Sequence, residues 1–290
     1  MDKLFLYLLF CVFGFISCGV NKNQTEVIRP AKTDFSYIEK FHKAVRFRQM
    51  GQIENAIFLF EECAIIRPND DAVFFALSQL YLQTKQFAKS SQAILKAVKI
   101  DPKNKWYVQE LAYMTFEQGN YKDAAKHFKN LSEKDPNNIE WLFSYAESLM
   151  RSNDFSGAVK TLDKLQDQLG LNPELSLEKF KLYRIIKEDE KAVNEILKAL
   201  IDFPTDTQLL ANLVDFYFEK KEDDKAFSFL IKLAENDPMN GNAHLALAQY
   251  YDRKGKKADS YIELKKAFIC EDVNLDTKLK ILISMFDIQF

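Results

Sequence analysis

Seven positions spaced by 34 residues run through most of the chain without a slip: Pro68, Pro102, Pro136, Gly170, Pro204, Pro238 and Asp272. Proline lacks a backbone N–H and prevents a helix from continuing. A helix-stopping residue at a fixed period implies one structural unit used again and again. Other rows keep the same register. A small residue stands mid-period at Ala56, Ser90, Ala124, Ala158, Ala192, Ala226 and Ser260. A large apolar residue follows four positions later, at Phe60, Ile94, Phe128, Leu162, Ile196, Leu230 and Leu264. A mostly aromatic row (Phe47, Tyr81, Thr115, Leu149, Tyr183, Tyr217, Tyr251) precedes each small residue by nine positions. Three positions earlier still comes a mostly small row: Ala44, Ser78, Ala112, Ala146, Phe180, Val214 and Ala248.

Each period holds two stretches with apolar residues at i, i+3, i+4 and i+7, the pattern of an amphipathic helix. Polar turns separate them, as in Met50-Gly51-Gln52, Gln118-Gly119-Asn120 and Lys254-Gly255-Lys256. Small residues let two antiparallel helices approach, and the large row fills the space between them. One pair cannot cover its own apolar face, so stacked neighbours must supply a continuous core. Composition agrees: 47% of residues are hydrophobic, enough for a core, and only 8 glycines are present, too few for a turn-rich all-β or βαβ fold.

These rows resemble the tetratricopeptide repeat over residues 37–274, in seven units, of which 105–138 is most like the consensus. The resemblance implies an all-α, right-handed solenoid of stacked antiparallel helix pairs. The expected organisation is a signal segment at 1–17, a flexible tether at 18–34, seven units over 35–274 and an unpaired amphipathic helix at 275–290. Two places depart from the pattern. Lys179 and Phe180 stand where a leucine and a small residue belong, and Gly170 replaces proline before that unit, so looser packing or altered curvature is expected there. In the last helix, Ile281, Leu282 and Met285 fall in the packing rows, leaving Leu279, Ile283, Phe286, Ile288 and Phe290 outside them. That surplus is read as a partner-covered face or as the start of a further unit in a longer polypeptide.

Residues Leu4 to Ile16 are uninterruptedly apolar, follow Lys3 and precede the small residues Ser17, Cys18 and Gly19. The run is too short to span a bilayer as a helix and has the layout of a cleaved secretory signal. Phe15-Ile16-Ser17-Cys18-Gly19 resembles a bacterial lipoprotein box, with Phe15 where leucine is usual. The resemblance implies lipid on Cys18 and, with glycine rather than aspartate following, an outer-membrane location facing the periplasm. Membrane attachment is expected through that lipid alone. Cys63 and Cys270 lie about six repeats apart, beyond disulfide reach in an extended stack.

Little in the chain suggests chemistry. His42, His127 and His244 fall in different repeats without a second ligand at helical spacing, so no metal site is expected. Phosphate-loop, G-x-S-x-G and H-E-x-x-H motifs are absent, and no insertion interrupts the period to build a pocket. An enzyme reading could use paired carboxylates such as Glu117, Glu140 and Glu147, but the expectation is a non-enzyme without cofactor or small-molecule substrate. A net charge of −2 argues against nucleic acid.

In tetratricopeptide proteins the first helix of each unit lines the concave face. The matching positions here include Phe41, Phe75, Gln79, Leu82, Trp106, Tyr113, Phe116, Glu117, Glu140, Phe143, Glu147, Met150 and Arg151. The aromatic first half of this face gives the expected partner-binding residues Phe41, Phe75, Gln79, Trp106, Tyr113, Phe116 and Phe143. The set of Lys, Arg and Asn that clamps an acidic C-terminal tail in some members is missing. The resemblance therefore implies a scaffold that binds a partner protein or peptide in its groove, within an envelope assembly or secretion complex. The alternative expectation is an interaction region of a longer polypeptide whose activity lies beyond residue 290.

Overall fold

The computed structural model describes residues 32–287, with side chains from 35 to 283. The signal segment, Cys18 and the tether up to residue 31 lie outside the described residues, as do the side chains of Met285, Phe286, Ile288 and Phe290. Fifteen α-helices and no strand occur among the described residues. The chain forms two compact units that divide after Pro68.

The first unit is one hairpin, α1 (Lys32–Gln49) and α2 (Ile53–Ile66). Helix α1 begins inside the stretch expected to be tether, so residues 32–34 are helical. Ala44, Ala56, Phe60 and Cys63 are fully buried between the two helices. The Arg67 guanidinium covers the Tyr37 ring at 4.0 Å, and Lys40 pairs with Glu62.

The second unit stacks six hairpins: α3 (Asp71–Gln83) with α4 (Phe87–Ile100), α5 (Lys105–Glu117) with α6 (Tyr121–Lys134), α7 (Ile139–Arg151) with α8 (Phe155–Leu169), α9 (Pro173–Ile185) with α10 (Asp189–Asp202), α11 (Thr207–Glu219) with α12 (Asp223–Asn236), and α13 (Gly241–Arg253) with α14 (Lys257–Ile269). Helix α15 (Leu275–Asp287) follows and packs on α14. The second helix of each pair also touches the first helix of the next, which makes the stack an α-solenoid. The small mid-period row is buried throughout, and the large row is buried except Leu264, which is partly covered. At Ser90, where serine replaces alanine, the hydroxyl is satisfied across the pair, Oγ donating to the Ser78 carbonyl at 2.7 Å.

Two more 34-residue rows explain how the units join. Pro68, Pro102, Pro136, Pro204 and Pro238 each directly follow a helix C-cap residue. Two positions after each turn residue stands an N-cap: Asp70, Asn104, Asn138, Asn172, Asp206, Asn240 and Asn274. Their side chains accept backbone N–H groups of the next helix at 2.9–3.3 Å. Each cap contributes about 1 kcal/mol. The turn inside each pair carries one residue at positive φ: Gly51, Lys85, Gly119, Asn153, Lys187, Lys221 and Gly255. Side chains other than glycine are strained there. Lys221→Gly, at φ 60°, is expected to raise stability by about 0.5–1 kcal/mol. A urea midpoint that stays put or falls would show that this turn carries no such strain.

Of the looser packing or altered curvature expected of the irregular unit, looser packing is not found at Lys179 and Phe180. Phe180 is fully buried edge-on to Phe216, with ring centroids 6.1 Å apart. Lys179 is buried and its Nζ donates to Glu195 Oε1 at 2.8 Å and Gln166 Oε1 at 3.2 Å, with Asp163 Oδ1 at 2.7 Å. The ammonium has partners on both neighbouring helices, α8 and α10, so the position fills with a charge cluster instead of a leucine. Gly170 caps α8 at φ 81°, and Pro173 starts α9. At the far end, Ile281 is buried with Ala267, Cys270 and Val273 as expected, but Leu282 is 39% exposed rather than packed.

Candidate functional site

In the second unit, first helices of consecutive pairs line two adjacent clefts. The larger, about 980 Å³, is an open groove over α7, lined among others by Tyr113, Glu140, Phe143, Glu147, Met150, Arg151 and, from α9, Glu178. The smaller, about 590 Å³, is lined by Leu82 of α3, Phe87 and Ser90 of α4, and Glu110, Tyr113, Met114, Glu117 and Gln118 of α5. Tyr113 belongs to both.

The rotation of α7 is fixed from its first turn. Asn138 caps the helix, and three residues on Trp141 is buried, its indole Nε1 donating to Gln109 Oε1 of α5 at 3.1 Å. Glu140, Phe143, Glu147, Met150 and Arg151 then fall on one helical stripe, the groove floor. Tyr113 rests edge-on against Phe128, centroids 5.1 Å apart, and its hydroxyl donates to Glu140 Oε1 at 2.6 Å. Burial, and after it the hydrogen bond to Glu140, push the Tyr113 phenol above its usual range.

The clefts are apolar with an acidic rim. Their carboxylates are Glu110, Glu117, Glu140, Glu147 and Glu178, against one cation, Arg151, which already faces Glu147 at 3.5 Å. Burial pushes the Glu110 carboxyl above its usual range.

Of the residues expected to bind a partner, Tyr113 and Phe143 line the clefts, with Phe143 43% exposed. Phe75 is half-buried and stacks on Tyr107 at 4.8 Å; Phe116 is half-buried against Tyr121 at 5.2 Å. Gln79 and Trp106 are exposed but line neither cleft; Lys105 Nζ sits 5.2 Å from the Trp106 ring. Phe41 belongs to the first unit, where its ring packs on Phe60 at 5.6 Å. Of the other positions implied by the resemblance, Leu82, Glu117, Glu140, Glu147, Met150 and Arg151 are brought into the clefts. Glu110 and Met114 were missed, although 110, 113, 114 and 117 form one helical stripe that periodicity alone would have joined.

Elsewhere the ionisable groups serve packing. His244 is buried with Nδ1 2.6 Å from Glu263 Oε2 and Nε2 3.1 Å from the Pro238 carbonyl, which ties α13 to α14. Cys63 and Cys270 are buried; the Cys63 thiol donates to the Tyr37 carbonyl at 4.0 Å, and burial pushes the Cys270 thiol up. Among the described residues no cluster of His, Cys, Asp or Glu is arranged to hold a metal, and no helix is long and apolar enough to cross a membrane.

Comparison with known proteins gives two family matches: Tetratricopeptide repeat over residues 115–177, and Anaphase-promoting complex, cyclosome, subunit 3 over residues 49–131. The chain is similar to human interferon-induced protein with tetratricopeptide repeats 2, 28% identical over 144 residues, covering 47% of this chain and 30% of that protein. It is also similar to the BBSome complex member BBS4 of Bos taurus, 21% identical over 229 residues, covering 79% of this chain and 42% of that protein. The chain thus spans less than half the length of these relatives. Among solved structures, the C-terminal part of a TPR repeat-containing protein from Cytophaga hutchinsonii superposes with a TM-score of 0.57 at 14% identity, covering 83% of this chain and 99% of that one. Residues 115–177 match a tetratricopeptide-repeat family model, and the chain has the fold of tetratricopeptide-repeat proteins.

Proposed function

We propose that this chain is a non-catalytic scaffold that holds a segment of a partner protein against its first-helix face, over α3, α5, α7 and α9. The observation that carries the reading is the open groove itself. Leu82 and Phe143 are exposed apolar residues within a cleft system built by consecutive repeats. An elongated apolar groove edged with hydrogen-bonding groups suits an extended or helical peptide. The α-solenoid fold supports the same reading, since it presents side chains of successive units along one surface. Phe143→Glu together with Leu82→Glu is expected to weaken partner binding about tenfold or more, because exposed anchor residues dominate such interfaces. Crosslinking through a photoreactive residue at 143, compared with one at the exposed Ile201 of α10, provides the check. Equal adducts from both sites, or unchanged binding by the folded double variant, would contradict the groove.

The proposal extends to location. The lipoprotein-like box at Cys18 supports attachment to a bacterial envelope membrane, with the repeats serving an envelope assembly or secretion complex from the periplasmic side. Cys18→Ser is expected to move the protein from the membrane to the soluble fraction. Unchanged fractionation of that variant would remove the anchor from this account.

A further inference from the structure

The charge of the groove says more about its occupant than its shape does. Of the five carboxylates lining the clefts, Glu110, Glu117 and Glu140 have no cation beside them among the described residues, whereas Glu147 faces Arg151 and Glu178 pairs with Lys181. Glu110 is half-buried in the smaller cleft among Leu82, Tyr113 and Met114, and neither it nor Glu117 has a salt bridge or hydrogen bond among the described residues. Glu140 is held only by the Tyr113 hydroxyl. Elsewhere on the surface several acids pair with neighbouring cations, as Asp223 does with Arg253, Asp224 with Lys254 and Asp189 with Lys220, whereas Glu110 is half-buried in an apolar cleft without one. Glu117 and Glu140 are exposed, but at the half-buried Glu110 a carboxylate without a cation is costly to keep. A ligand that supplies the cation relieves that cost, whereas an acidic ligand adds to it.

We infer that the clefts over α5 and α7 take a partner peptide in which lysine or arginine alternates with large apolar residues. The apolar side chains would contact Leu82, Met114 and Phe143, and the cations would reach Glu110, Glu117 and Glu140. This rests on the groove reading and names its chemistry. Tyr113, donating to Glu140 between the two clefts, sets that carboxylate where a bound cation can share it.

The test pans a random displayed library of peptides of about eight residues, roughly 26 Å when extended, on the full chain, and then measures the enriched pool on the uncharged variant Phe143→Ser/Leu82→Ser. The expected result is enrichment of Lys and Arg beside apolar residues and depletion of Asp and Glu. The consensus peptide should lose about tenfold in affinity when its cations become glutamate. It should lose a similar factor against Glu110→Gln/Glu117→Gln, and nothing against Glu133→Gln/Glu235→Gln on the second helices. Binding should weaken as salt rises. Enrichment without charge preference, or with acidic preference, would overturn the inference and leave the groove reading standing. A pool that binds Phe143→Ser/Leu82→Ser as well as the unaltered chain would sink the groove reading, and this inference with it.

Discussion

Replacing the buried Lys179 with alanine is expected to cost about 3–5 kcal/mol of stability. Lys179 is 3% exposed and Glu195 5% exposed, so the pair lies out of water. Attraction between them, reinforced by Asp163 and Gln166, offsets the desolvation of both charges. Removing the ammonium leaves the Glu195 carboxylate buried without a cation, which is the costly half of any buried pair. The loss should appear as a lower urea midpoint. In a solenoid whose repeats contact only their neighbours it should begin locally, over α8 to α10. Exchanging both partners, Lys179→Met with Glu195→Leu, should recover most of the loss, since an apolar pair of similar volume needs no charge compensation. A single variant within about 1 kcal/mol of wild type would mean that the cluster behaves like an exposed ion pair.

The pH dependence of this cluster follows in sign. Burial works to lower the Lys179 pKa, but the hydrogen bonds and charges of Asp163 and Glu195 outweigh it, and the net shift is upward. A group whose pKa is raised by folding contributes stability that is present below its unfolded value, about 10.4, and is lost as pH rises through the folded value. The Lys179 contribution is therefore constant through neutral pH and fades only in strong alkali.

The second large effect belongs to Gly241, the first residue of α13. A methyl group added there would lie 2.2 Å from Val273 Cγ2, 2.6 Å from Asp272 Oδ1 and 2.8 Å from Cys270 Cβ. All three atoms sit on the joint between α14 and α15. The same joint supplies a cap: Asp272 Oδ1 accepts the Gly241 N–H at 3.0 Å, and Oδ2 meets Asn242 N and Nδ2 at 3.4 Å. Gly241→Ala must push the joint away and break these bonds. It is expected to cost about 2–4 kcal/mol, overpacking plus a lost hydrogen bond. Hydrogen exchange should show α15 losing protection first, because Val273 and Ile281 share its core. Asp272→Ala leaves the packing intact and should cost only about 1 kcal/mol. If Gly241→Ala proved as mild as Asp272→Ala, the close approach would not be holding the joint.

These two positions show which parts of the molecule sequence can display. The small and large rows could be read directly, because a helix pair demands them at every period, and Ala56 to Ser260 are all buried as expected. The proline row was legible too, but its lapses were not. Asp272 interrupts the prolines because its carboxylate is needed at the start of α13, a contact across 31 residues that no spacing reveals. Lys179 looked like a defect because its partners lie on two other helices, 16 residues on and 16 back. The row of positive-φ turns was hidden because Lys85, Lys187 and Lys221 carry no signal of that backbone, unlike the glycines at the equivalent positions. In the groove, Leu82, Tyr113 and Phe143 were found from the pattern of first-helix positions, while Phe75 and Phe116, with the same spacing, turned into neighbouring rings. Sequence gives the face of a helix; which ring on that face finds a neighbour depends on the helix beside it.

The central claim is that the cleft system over α3, α5 and α7 is where a partner segment lies. The most direct measurement is a methyl and aromatic NMR footprint of the chain with the library-selected peptide. The account predicts shifts concentrated at Leu82, Met114, Tyr113, Phe143 and Met150. Shifts confined to the second helices α4, α6 and α8, with those five residues unmoved, would contradict it.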